Sequence, residues 1–250
     1  MSSRTAFVVL TIGLGALVLA IWAPRFIRVV HLPEPPQRSL ARRVEVNGVR
    51  SDVVELSLDR YQLRLEGGDG KGLTLGQATG AFRTNAGIFE PDLRPTGLLV
   101  RDGVTLHPLN RGSGEGNFFM RPNGVFQLDA SGARVLETSE FDAAAAVSLA
   151  TQSGPLLVRG GVLHPAFKPA SERKVIRSGV GVRDPRTVVF VISRDPISLF
   201  DFATLFRDRL GCPDALYLDG IISGQWVEGL ELDRDTGPFA AVITATLRQR

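Results

Sequence analysis

The stretch TVVFVISRDPISLFDFATLFRDRLGCPDALYLDG, residues 187–220, carries the reading of the fold. Residues 187–193 form a short apolar, β-branched run and read as a buried strand, as do residues 215–218. Between them Ser198 can cap a helix. Asp201 falls at the third helical position, and Leu199, Phe202, Leu205, Phe206 and Leu210 make an apolar stripe that stops at Gly211. Strand, helix, strand is the expected order, which sets Asp219 at the carboxyl end of a strand that follows a crossover helix. Ligands collect at such strand ends in open sheets. A buried, ionised carboxylate without partners is costly or shifts its pKa upward, so Asp219 either surfaces there or meets donors. The bland alternative is an aspartate that only accepts bonds from the following turn.

Outward from this stretch the chain reads mostly as sheet. Residues 44–49, 53–58 and 61–65 alternate apolar and polar and are punctuated by Asn47-Gly48 and Asp59-Arg60, which predicts an antiparallel meander. Further strands are predicted at 98–101, 117–120 and 125–128, the last two joined by the turn Arg121-Pro122-Asn123-Gly124, and a closing strand at 239–247. A second helix is predicted from Glu140 to about Ala150, behind Ser139 and through a run of alanines. The expected fold class is α+β: a mixed, largely antiparallel sheet with a few covering helices, in one globular domain over residues 39–250.

The amino terminus differs in kind. AFVVLTIGLGALVLAIWA, residues 6–23, carries no charge and lies between Arg4 and Arg25, so residues 1–30 read as a signal anchor or a signal peptide. HLPEPPQR, residues 31–38, reads as a stiff Pro-rich linker. An extracytoplasmic domain, periplasmic or at the cell surface and anchored by this segment, is the expectation. The net charge of +3 comes from scattered cations, and no nucleic-acid footprint is expected. The lone Cys212 cannot form an internal disulfide and reads as a small buried filler. His31, His107 and His164 have no ligand spacing, so neither metal nor cofactor is expected.

Four other segments set polar side chains among glycines beside apolar runs: RTNAGIF (83–89), GNFFMRPNG (116–124), ATQSGPLLV (150–158) and VIRSGVGV (175–182). Each puts an amide, hydroxyl or guanidinium at an element edge: Asn85, Asn117, Gln152 with Ser153, and Arg177. Ser223 beyond Gly220 adds a further hydroxyl. Singly these are ordinary turn residues, but together they supply a polar pocket with one carboxylate, one cation and several neutral donors.

The series NAGIF, GNFF, ATQSGPLLV, RSGVGV and LYLDG, in this order, resembles the phosphodiester glycosidase family over residues 83–226, most of all its small bacterial members that are exported or membrane-anchored. The resemblance implies that Asn85, Gln152, Ser153, Arg177 and Asp219 line the active site and that Gly87, Gly154, Gly181 and Gly220 shape it. One departure stands out: the animal-type motif has a second glycine after Asp-Gly, where this chain has Ile221 and Ile222.

A phosphate monoester leaves more readily than a sugar alkoxide, so one carboxylate and a cation can suffice where ordinary glycosidases need two carboxylates. On this reading Arg177, with backbone N–H groups of Ser153-Gly154 and residues 179–181, holds the phosphodiester. Asp219 acts at the anomeric carbon, as nucleophile or as base for water, while Asn85 and Gln152 fix sugar hydroxyls. Glu90, Asp92 and Glu115 are candidate second carboxylates. The competing reading is a module that binds a glycan or cell-envelope polymer without turnover. Ser153 lies in Gln-Ser-Gly-Pro rather than a Gly-x-Ser-x-Gly elbow, which sets a Ser-His-Asp hydrolase aside.

Overall fold

Three antiparallel sheets surround a common core in the computed structural model, which describes residues 40–229 and 235–249. The apolar stretch 6–23 and the linker 31–38 lie outside the described residues. The largest sheet runs, edge to edge, β1 (Ala41–Val46), β2 (Val49–Ser57), β13 (Thr187–Ser193), β12 (Ser178–Asp184), β14 (Asp214–Asp219), β10 (Leu156–Arg159) and β11 (Val162–Leu163). The second holds β15 (Gln225–Val227), β4 (Phe82–Asn85), β16 (Ala241–Leu247) and β3 (Tyr61–Gly67). The third holds β6 (Val104–His107), β5 (Leu99–Arg101), β9 (Val147–Ser153), β7 (Gly124–Asp129) and β8 (Gly132–Glu137).

The two-residue side-chain period of the strands decides the layers. On β14, Leu216 and Leu218 face the core shared with Val54, Phe82, Phe126 and Phe190, while Ala215 and Tyr217 face the other side. That outer face is covered by α1 (Leu199–Thr204), which continues as a π-turn over Leu205–Arg209. Ser198 caps α1 as its sequence predicts: its Oγ accepts the Asp201 N–H at 3.0 Å. Phe202 and Phe206 pack directly on β12 because residues 179 and 181 are glycine. A Cβ at Gly181 would stand 2.7 Å from Phe206 and 2.8 Å from the Cys212 sulfur. Cys212 is buried there, and burial pushes its thiol up to about 12, which suits a filler.

Several expectations need correction. The largely antiparallel character holds, since all named strand pairings among the described residues are antiparallel, but they fall in three sheets rather than one mixed sheet, and among the described residues one short α-helix stands where a few were expected. The predicted meander breaks after β2, because β3 pairs with β16 in a different sheet. Residues 117–120 form a 3-10 turn, Asn117–Phe119, and not a strand. The predicted helix from Glu140 is a 3-10 turn (Thr138–Glu140), then exposed alanines, then β9. A short alanine run has helical propensity but no apolar stripe to dock, whereas Val147 and Leu149 bury on a strand paired on both edges. Residues 179–181 are the middle of β12, with both edges paired, rather than a loop with free N–H groups.

Candidate active site

Antiparallel pairing of β12 with β14 assembles the site. Ser178, the first residue of β12, lies opposite Asp219, the last of β14, so the chain ends that carry Arg177 and Asp219 meet. Asn117 arrives from the 3-10 turn, which rests on Gly154: a Cβ there would stand 2.6 Å from the Phe118 carbonyl. Asn117, Arg177, Tyr217, Asp219 and Gly220 all line one pocket of about 890 Å³. Its size falls at the upper end of ordinary small-molecule sites, about 300–1,000 Å³.

Arg177 is 4% exposed, and among the described residues no carboxylate lies within ion-pair reach of it. Its Nε donates to the Ile197 carbonyl at 2.8 Å, Nη1 to the Tyr217 hydroxyl at 3.3 Å and Nη2 to the Arg173 carbonyl at 3.2 Å. Those bonds fix the plane of the guanidinium and leave donors and a whole charge uncompensated. Burial draws its pKa below the ordinary arginine value, and the Tyr217 oxygen opposes that.

Tyr217, one more apolar strand residue by sequence, is a member of the site. Strand alternation was the available signal, since residues 217 and 219 share a face. Its hydroxyl accepts from both Arg177 and Asn117, each at 3.3 Å, and keeps its own proton to donate. Burial pushes the phenol up to about 12. The same oxygen lies 2.5 Å from where a Cβ on Gly220 would be, so glycine is what lets the turn close over the ring.

Asp219 is half-buried, and the one hydrogen bond to its carboxylate among the described residues comes from the Gly220 N–H at 2.6 Å. Burial pushes its carboxyl up to about 7, against the lowering effect of that bond. It therefore lies near neutrality, where a carboxyl can exchange a proton in turnover.

The remaining expected site residues stand elsewhere. Asn85 and Ser223 support the Asp219 turn from behind: the Asn85 Oδ1 accepts the Gly224 N–H at 3.3 Å, and the Ser223 hydroxyl donates to the Gly220 carbonyl. Gln152 is engaged on all sides, accepting from the Leu98 and Asn110 N–H groups and donating to the Asn110 carbonyl and the Thr138 hydroxyl. Ser153 donates to the Leu218 carbonyl at 2.9 Å. Gly87 packs 3.1 Å, by its absent Cβ, from the Thr151 hydroxyl, and Gly181 lies under α1. None of these six lines the pocket. Glu172, which does, is its acidic residue besides Asp219, whereas Glu90, Asp92 and Glu115 stay outside. Trp226 stacks under the Arg83 guanidinium at 3.9 Å, away from the pocket.

Comparison with known proteins matches the sequence of this chain to a family. The phosphodiester glycosidase family pattern covers residues 78–245. The chain belongs to the phosphodiester glycosidase family. It is 34% identical over 160 residues to the protein YigE of Escherichia coli strain K12, a match that takes in 64% of this chain and 63% of that protein's length. The catalytic domain of zebrafish N-acetylglucosamine-1-phosphodiester alpha-N-acetylglucosaminidase, solved auto-inhibited by its pro-peptide, shares the fold at a TM-score of 0.60 and 14% identity, over 87% of this chain and 86% of that one. A Synechocystis protein of known structure aligns at a TM-score of 0.53 and 16% identity, over 83% of this chain and 61% of its own. The region of the phosphodiester glycosidase match, residues 78–245, contains Asn117, Arg177, Tyr217 and Asp219, which line the pocket.

Proposed function

We propose that this chain hydrolyses sugar-1-phosphodiesters, releasing free sugar and a phosphate monoester, and that it does so outside the cytoplasm, anchored or exported through residues 6–23. The observation that carries the proposal is the buried Arg177, held in plane by three bonds and without a carboxylate partner among the described residues, in the same pocket as a carboxyl raised to about 7. An uncompensated buried cation is unfavourable until an anion arrives, and a phosphodiester brings one with a pair of non-bridging oxygens that the guanidinium fork can bind. Family membership supports the reading, as does the zebrafish relative, which bears the name of an N-acetylglucosamine-1-phosphodiester hydrolase.

In the reaction, water attacks the anomeric carbon and Asp219 takes its proton. The anomeric C–O bond breaks, and its electron pair leaves with the phosphate, whose charge Arg177 and the Tyr217 hydroxyl receive. No acid need protonate the leaving group, because the monoester is stable as an anion at neutral pH.

The test is release of reducing sugar from a panel of sugar-1-phosphodiesters by the full chain and by Asp219→Asn. Turnover that falls at least about a hundredfold in the folded variant is expected for loss of a general base. Equal turnover in both would remove Asp219 from the chemistry, and none on any sugar, with glycans still bound, would make the protein a binding module.

A further inference from the structure

The floor of the pocket is polar, but one wall is not. Ile221 and Ile222 directly follow Asp219 and Gly220, are 72% and 42% exposed, and line the pocket together with Val175, Leu199 and Phe200. Five large aliphatic side chains are strongly exposed among the described residues, and these two are the only adjacent pair. Keeping such a pair in water is unfavourable, and contiguous exposed apolar surface at a cavity marks what the cavity binds. A sugar does not explain it. Sugar hydroxyls need donors and acceptors, and aliphatic side chains offer neither. Around the mouth stand Lys168, Arg173 and Lys174, exposed, with Glu172 the acid among them. The pocket thus combines the buried cation of Arg177, exposed Lys168, Arg173 and Lys174, and an aliphatic surface, the pattern complementary to an anionic head joined to an alkyl chain.

We infer that the substrate is an amphiphile: a sugar-1-phosphodiester whose second alcohol is a long aliphatic chain, with sugar and phosphate at Arg177 and Asp219 and the first carbons of the chain along Ile221 and Ile222. This rests on the hydrolase reading and adds the class of its leaving group. It also gives a physical role to the two residues that stand where the animal-type motif has a glycine: they turn the outer edge of the Asp219 turn from permissive backbone into a greasy wall.

The test uses the full chain in nanodiscs, with empty discs as the blank for partitioning. kcat/KM is measured for sugar-1-phosphate esters of ethanol, butanol and hexanol, and dissociation constants are measured in parallel for ethyl, butyl and hexyl phosphate. Each methylene taken fully out of water is worth about fourfold, so a gain of at least about tenfold from ethyl to hexyl is expected in both series. The double variant Ile221→Ser, Ile222→Ser, whose side chains are exposed and carry no core packing, is expected to flatten both slopes by half or more. Hydrolysis with no chain-length dependence, or a slope the double variant leaves untouched, overturns the inference and leaves the hydrolase reading standing. Steep binding of the alkyl phosphates without hydrolysis keeps the amphiphile pocket and overturns the hydrolase. Failure of both series overturns both.

Discussion

Two regions of this molecule look alike in sequence and behave differently in structure. Around Gln152 and Ser153, polar side chains among glycines close their bonds within the protein: Gln152 with the Leu98 and Asn110 backbone and the Thr138 hydroxyl, and Ser153 with the Leu218 carbonyl. Around Arg177 and Tyr217 the same kind of residue keeps capacity in hand, with a cation lacking a carboxylate partner and a hydroxyl whose proton points to no acceptor among the described residues. The first region is a latch between sheets and the second is a site. The difference is not residue type but whether a buried polar group is satisfied before a ligand comes.

The sharpest way to break this contrast is at the latch. Gln152→Leu strands two N–H groups, a carbonyl and a hydroxyl, and is expected to cost about 3 kcal/mol in a urea titration. Turnover per folded molecule should hold, and a loss of turnover without loss of stability would move Gln152 into the site.

At the site, pH is the next lever. A base with its pKa raised to about 7 must be ionised to act, so turnover should fall about tenfold per pH unit below 7, to about a hundredth at pH 5. A rate that instead falls above pH 7 would make Asp219 an acid.

Arg177→Lys keeps the charge but not the fork, and cannot reach the Ile197 and Arg173 carbonyls and the Tyr217 hydroxyl together. kcat/KM should fall at least about tenfold, the equivalent of one good charge-assisted bond of about 1.5–3 kcal/mol. Full activity would dismiss the planar phosphate clamp.

The smallest effect is on stability and has the opposite sign to most site mutations. The Asp219 carboxyl is raised in the folded chain, so the native state binds its proton more tightly than the unfolded state does. Stability present below pH 4 is lost as pH rises toward 7. Asp219→Asn should therefore be more stable than the parent at pH 8, by about 1 kcal/mol once solvent screening in the open pocket is allowed for, and no more stable at pH 4. Thermal midpoints at the two pH values read this directly.

Much of the site's backbone was legible from local pattern. Ser198 and Asp201 announced the cap, the β-branched run 187–193 announced β13, and LYLDG announced a strand that ends on a carboxylate. The glycines of RSGVGV were legible as special, but their reason was not: they face Phe206 and Cys212 under a helix, a contact between segments far apart in the chain. Asn85 is similar, since its use is to hold Gly224 across the sheet. The alanine run 143–146 misled because propensity without a face to bury does not make a helix.

Local sequence was enough for the helix cap at Ser198 and for the strands that end beside Arg177 and at Asp219, because caps, β-branching and turn glycines act over a few residues, but not for the 3-10 turn that brings Asn117. Only the tertiary structure decided which polar residues are latches and which are tools. Satisfaction of a buried donor depends on partners that the chain brings from the other sheets, and antiparallel pairing of β12 with β14 is what set Arg177, Tyr217 and Asp219 around one pocket.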